Sequence, residues 1–235
     1  ATAPLLPHAQ SWTLVDNDPG LIAAARRELT RWSDDAEIAN HGLMLVKDRR
    51  RITVTFREAD LARDLDGALA GEAALVTPSP LFDLCSAEFI RRFVKAVAAK
   101  RAVFYTVLTY NGVQRWIPRQ PTDQAIAQAF NHHQLRDKGF GPSAGPMAPS
   151  ELADGFRAAG YSVSEGDSPW RLGAADTELV AELASGKSLA AAETGLVDTP
   201  TLERWRAVPR TGAEVGHTDT LAFPGDRWSI DDDAA

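Results

Sequence analysis

Cysteine is almost absent from this chain: Cys85 stands alone, which excludes an internal disulfide framework and fits a reducing compartment. No apolar run approaches the roughly eighteen residues needed to span a bilayer, so no membrane partner is expected. Positive charge is also in short supply, with 25 Lys and Arg against 32 Asp and Glu and a net charge of −7. Nucleic-acid backbones demand a basic footprint, so nucleic acid is not an expected partner. The densest basic run, Lys47 to Arg51, lies between two expected elements and reads as a solvated turn. Glycine is missing from Ala1 to Gln10, and no signal-peptide pattern is visible, although a start further upstream would hide one. Cytoplasmic is the default placement. The chain has no internal repeat and no low-complexity tract.

What is present is an ordinary globular composition, 235 residues that are 44% apolar and 24% charged. That is enough to bury one core in a single domain over residues 1–235. The most informative stretch is Ser11 to Pro19. Trp12, Leu14 and Val15 form an apolar strand that ends at Asp16, and Asp18 is a good helix N-cap ahead of Pro19 at the first helical position. Leu21, Ile22, Ala25, Leu29 and Trp32 then recur at helical spacing. In an open α/β sheet, ligands bind beyond the carboxyl ends of the strands, and an acid at such an end is placed to hold a ribose.

Strand and helix signals keep alternating. Ile52, Val54 and Phe56 alternate with threonines and the run ends at Glu58-Ala59-Asp60; Leu61, Leu65 and Leu69 follow at helical spacing. Ala73 to Thr77 is a short apolar strand, Phe89 to Val97 an amphipathic helix, and Ala102 to Leu108 another buried strand. This is the pattern of βαβ units and a mostly parallel sheet. After Thr109 the rhythm changes. A helix carrying Ala125, Ile126, Ala129 and Phe130 leads into FNHHQLRDKGFGPSAGP, too rich in aromatic and ionisable residues for a passive linker, and reads as a binding loop or lid. Leu152 and Phe156, then Tyr161 to Val163, resume helix and strand. Asp176 is expected to cap a helix closed by Gly186, Thr199-Pro200 to open another through Trp205 and Val208, and Ala213 to Pro224 to form the closing strand. The tail Asp231 to Asp233 reads as frayed.

The succession LVDNDP, READL, ALVTPSPLFDL and AVFYTVLTYNG resembles the class I S-adenosylmethionine-dependent methyltransferases over about residues 11 to 112. The resemblance implies a Rossmann-like sheet with helices on both faces, a cofactor-binding half at 11–112, a lid or substrate loop at 113–150 and a C-terminal half with inserted helices at 151–230. It implies S-adenosylmethionine as cofactor: Asp16 on the ribose hydroxyls, Asn17 near the adenine, Asp60 receiving the adenine amino group with Leu61 beside it, and Thr77 and Ser79 bordering the methionine and methyl group. The family's first strand and glycine-rich loop have no counterpart in these residues. The turn that precedes such an acid by about twenty residues falls before Ala1, and the chain reads as a fragment or processed form.

On the acceptor side, His132 and His133 are candidate general bases because histidine titrates near neutrality, and Tyr110 joins them as a catalytic candidate. Adjacent helical positions point about 100° apart, so the two histidines do not share a face as metal ligands would, and no metal is expected. Asp83, Asn111, Asp137, Lys138, Trp170 and His217 are the substrate-binding candidates. Each has a plainer reading: Asp16 and Asp18 as caps, Asp83 as a solvent-facing first-turn acid, the histidine pair as partners of loop backbone. Trp116, Trp205 and Trp228 read as packing residues and Cys85 as a buried structural thiol. The expected activity is methyl transfer to a small molecule, and a homodimer stays open. Two alternatives stand beside it: an NAD(P)-dependent oxidoreductase, which shares the acid after the second strand, and a non-catalytic module on the same fold.

Overall fold

The computed structural model describes residues 6–39, 42–78 and 80–225. The chain divides into two compact units, Ala1–Gly71 and Glu72–Ala235. Ser79, Trp228 and the acidic tail lie outside the described residues.

The first unit begins as the sequence predicts. Strand β1 (Ala9–Asp16) leads into α1 (Pro19–Trp32), and the Asp18 carboxylate caps that helix by accepting from the Gly20 amide at 2.7 Å. Two strands that the sequence reading did not anticipate follow, β2 (Asp35–Ala39) and β3 (Gly42–Lys47), before β4 (Arg50–Glu58) and the single turn of α2 (Leu65–Ala68). The sheet order is β1-β4-β3-β2, with β1 and β4 parallel and the other two pairings antiparallel. In β4 the predicted alternation holds: Ile52 and Val54 are buried while Arg51 and Thr53 face solvent. With Leu43 and Leu45 they form the core, against which Trp12, Leu14, Leu29 and Phe56 pack. The basic run is a hairpin turn. Asp48 and Arg49 both adopt positive φ, 48° and 62°, as the primed two-residue turns between antiparallel strands require. The helix expected from Leu61, Leu65 and Leu69 shrinks to one turn: the Asp60 carboxylate takes the Ala62 amide into a local turn, and Asp64 then caps the short α2 by accepting from the Gly67 amide.

The second unit holds a mixed sheet. Its strands are β5 (Leu75–Val76), β6 (Val103–Ile117), β7 (Tyr161–Asp167), β8 (Trp170–Leu172) and β9 (Gly212–Pro224), in the order β5-β6-β9-β7 with β8 also paired to β9. Only β5 and β6 run parallel; β9 returns antiparallel to β6, β7 and β8. The helices are α3 (Ala87–Ala99), α4 (Asp123–Gln134), α5 (Ala148–Ala158), α6 (Thr177–Thr194) and α7 (Thr199–Ala207). One core is aromatic: Phe104 stacks on Phe156 at 4.6 Å and meets Phe82 and Phe93 edge-on at 5.7 and 5.9 Å. The other centres on Trp116 and Trp205, T-shaped at 5.4 Å, with Ile126, Val180 and Leu202. Both tryptophans are packing residues, as expected.

Two departures from the sequence reading shape the site. Strand β6 continues beyond Thr109 through Tyr110 and Asn111 to Ile117, because β9 accompanies it along its whole length. Helix α6 does not stop at Gly186. It runs on to Gly195, whose φ of 67° makes the left-handed C-cap, and Gly186 sits exposed in mid-helix. Nor does Asp176 cap α6 with its side chain; its carboxylate accepts from the Gly173 amide at 2.9 Å.

Candidate functional site

In the first unit, the parallel register sets Asp16 opposite Glu58, so Asp60 lies two residues beyond the paired edge at the same carboxyl end. Both acids are half-buried. Asp16 Oδ1 accepts from the Asp18 amide at 2.9 Å, and among the described residues its Oδ2 accepts from nothing. Asp60 Oδ1 accepts from the Ala62 amide at 2.9 Å, and Oδ2 is 3.3 Å from Arg63 Nε. An ionised carboxylate offers about four lone-pair sites, so both retain acceptor capacity after these turn contacts. Asn17 is exposed and Leu61 half-buried beside them.

In the second unit, Thr77 follows β5 directly and is half-buried. Asp83 sits in a short 3-10 turn, Phe82–Leu84, and burial raises its pKa. Burial, then the nearby Asp83 charge, pushes the Cys85 thiol up to about 12. A thiol that stays protonated with no adjacent base is structural.

Tyr110 is the hub of the unit's polar cluster. Its phenol donates to Asn131 Oδ1 at 2.7 Å and accepts from Gln114 Nε2 at 2.6 Å. Asn131 in turn donates to the Gly112 carbonyl at 3.1 Å, fixing α4 against β6. Burial raises the Tyr110 pKa to about 12. With its proton committed to Asn131, the phenol positions its neighbours and is poorly suited to accept a proton. Tyr110 faces His217 across the β6–β9 pair, with ring centroids 6.4 Å apart, and Trp170 from β8 lies 5.2 Å from the same imidazole. His217 is 8% exposed, its Nδ1 is buried without a partner among the described residues, and burial followed by the nearby Lys187 charge lowers its pKa. Asn111 donates to Thr218 Oγ1 at 3.2 Å. That crossing requires glycine at Gly216, where a Cβ would fall 2.3 Å from Asn111 Oδ1. The backbone is re-aimed here by two bulges in β6, one carrying Leu108 at φ 60°. Asp219 secures it, accepting from the Leu108 amide at 3.0 Å and from Ser168 Oγ.

The other sequence candidates are placed differently. His132 is exposed. His133 Nε2 lies 3.0 Å from Glu193, which Arg136 also grips at 2.8 Å, so that histidine ties α4 to α6. Asp137 accepts from the amides of Gly139 and Gly141 at 2.7 and 3.1 Å, shaping a turn on which Lys138 stands exposed. The segment read as a lid is helical through Gln134. Its remainder is pinned by Ser143 Oγ on the Leu84 carbonyl, the Ala144 amide on Cys85 and Phe140 against Phe89.

The residue that the sequence reading missed is Lys187. It is 5% exposed on α6, with Nζ 3.9 Å from the Phe130 ring centroid and 5.1 Å from that of Tyr110. No carboxylate pairs with it among the described residues, and burial lowers its pKa to about 8. The signal was available: Val180, Leu183, Lys187 and Ala191 share one helical face, and the lysine breaks an apolar stripe.

No protein-family model matches the chain, and no curated protein matches it. Solved structures similar to it include a cyclopropane-fatty-acyl-phospholipid synthase-like protein from Lactobacillus casei, 15% identical with a TM-score of 0.47 over 94% of this chain and 87% of that one. Another is the YcgJ protein of Bacillus subtilis, 10% identical with a TM-score of 0.47 over 92% of this chain and 91% of that one. A third, from Anaeromyxobacter dehalogenans and assigned as a type II methyltransferase, is 16% identical with a TM-score of 0.37, covering 92% of this chain and 90% of that one.

Proposed function

We propose that the chain transfers a methyl group from S-adenosylmethionine to a small acceptor. The observation that carries this reading is the pair of half-buried carboxylates, Asp16 and Asp60, at the same carboxyl edge of the parallel β1–β4 pair. Asp16 Oδ2 is open to the ribose hydroxyls, and the remaining acceptor sites of Asp60 suit an amino group of the adenine. Asn17 and Leu61 flank that end. When bound, the sulfonium supplies the activated methyl group, which leaves the protein to position the acceptor, exclude water and take a proton where one must leave.

Proton acceptance falls to His217 rather than to His132 or His133. Its imidazole is buried, held toward the neutral form, and keeps a ring nitrogen free. Tyr110, Asn131 and Gln114 hold the neighbouring surface rigid, with Trp170 beside the imidazole and Asn111 and Asp83 on the elements around it. Asp137, Lys138 and His133 serve structure or solvent in this reading.

The test is titration calorimetry of the protein with S-adenosylmethionine, with NADH as control. Heat with the former and none with the latter is expected. Heat with NADH alone would transfer the chain to nicotinamide chemistry.

A further inference from the structure

Lysine is rarely buried without a counter-charge, because desolvating an ammonium is expensive unless something replaces its water. Lys187 is 5% exposed, and the faces of Phe130 and Tyr110 are what meet its ammonium. A ring face offsets part of the cost through its quadrupole but leaves the N–H donors unused. Hydrogen-bond acceptors are scarce around it: the Tyr110 phenol is already engaged with Asn131 and Gln114. Further along, His217 Nδ1 and Gln114 Oε1 are buried and unpartnered among the described residues. Trp170 is 38% exposed and lies against the His217 ring, so the cluster has an aromatic rim. A cation with no carboxylate partner among the described residues, two unpaired polar atoms and a flat apolar rim in one compact unit are complementary to a planar molecule bearing an anionic oxygen.

We propose that Lys187 binds the carboxylate of a small planar organic acid whose body extends toward His217 and Trp170. The proposal rests on the methyl-transfer reading for its catalytic meaning, since it names the acceptor's chemical class, but the binding itself belongs to the second unit. In that reading a hydroxyl or amine on the same molecule would meet His217 Nδ1 or Gln114 Oε1.

The experiment uses the full chain without methyl donor and titrates it with benzoate and with the neutral isostere benzamide. Benzoate is expected to bind at least about tenfold more tightly, the difference made by one charged hydrogen bond. Lys187→Met should abolish that preference, and Arg171→Gln should keep it, because the Arg171 guanidinium is exposed and pairs with Glu214. Equal binding of the two probes, no binding of either, or a preference retained in Lys187→Met overturns the proposal. Should Lys187→Met fail to fold, the ratio of benzoate to benzamide affinity in the unaltered protein still decides. Donor calorimetry reads the methyl-transfer reading separately, so failure of one does not imitate failure of the other.

Discussion

The Lys187 ammonium sits 3.9 Å from the centroid of the Phe130 ring, with no carboxylate partner among the described residues. That arrangement sets a pH dependence of stability. Burial lowers the Lys187 pKa from its ordinary 10.5 to about 8, so between those values the unfolded chain binds more protons than the folded one. Stability therefore rises with pH across that window, and the cost of burying the charge is fully present below it. The size is on the order of 3 kcal/mol. Cys85 and Tyr110, both raised to about 12, oppose the gain above roughly their ordinary values of 9 and 10, because unfolding frees them to ionise. The clean readout is the difference between Lys187→Met and the unaltered protein in urea melts. The advantage of Lys187→Met should shrink steadily from pH 7.5 to 10, and a constant difference would show that the lysine does not titrate.

His217 and His132 separate under substitution. Removing a general base costs about a hundredfold to ten-thousandfold in rate, so His217→Ala should lose turnover on that scale while still binding donor. His132→Ala, truncating an exposed side chain, should change turnover by less than about twofold. A large loss in His132→Ala would return the proton-accepting role to α4.

The stretch from β1 through α1, Ala9–Trp32, and the strand β9, Gly212–Pro224, were legible because local chemistry and tertiary demand agree there. Asp18 caps, Pro19 opens α1, and β9 reads directly from its apolar run. The hairpin β2–β3 was not legible because Met44, 51% exposed, puts an apolar side chain on the solvent face and erases the alternation of Leu43 and Leu45. Lys187 was missed for a related reason. A glycine at position 186 reads as a helix stop, which moves the next residue into a loop, whereas packing of α6 against α4 and α7 carries the helix through the weak residue to Gly195. The continuation of β6 through Tyr110 and Asn111 was not legible because nothing local to β6 announces that β9 will pair with it. The acids at strand ends could be read, while the cluster around Tyr110 depended on pairings about a hundred residues apart in sequence.

A buried ion pair beside the tryptophan core gives a stability test independent of function. Asp123 Oδ1 accepts from Trp205 Nε1 at 2.7 Å and from Arg210 Nη2 at 3.3 Å, and Oδ2 accepts from the Gln120 amide at 2.8 Å. The Arg210 side chain is 2% exposed and lies over the Trp205 ring at 4.5 Å. Asp123→Ala leaves that guanidinium buried without its counter-charge and should cost about 3–5 kcal/mol in urea denaturation. Asp123→Asn keeps an acceptor for Trp205 and should cost less. Equal losses would mean that the charge of Asp123 carries the contribution and that the acceptor kept by asparagine adds nothing to it.

Asp16 and Asp60 should affect donor binding without affecting the fold. Each carboxylate shapes a local turn, Asp16 through the Asp18 amide and Asp60 through the Ala62 amide, and asparagine can make the same turn with its side-chain oxygen. Asp16→Asn and Asp60→Asn should therefore leave the urea midpoint where it is. The open Asp16 Oδ2 becomes an amide nitrogen in asparagine, which donates where a ribose hydroxyl also donates. Loss of a charged acceptor and its replacement by a donor should weaken S-adenosylmethionine binding by about tenfold or more in Asp16→Asn. Asp60→Asn retains a neutral acceptor and should lose less, and the deficit should vanish for a ligand lacking the adenine amino group. Unaltered donor affinity in both variants would leave the two acids as turn-forming residues only, and the cofactor reading would fall with them.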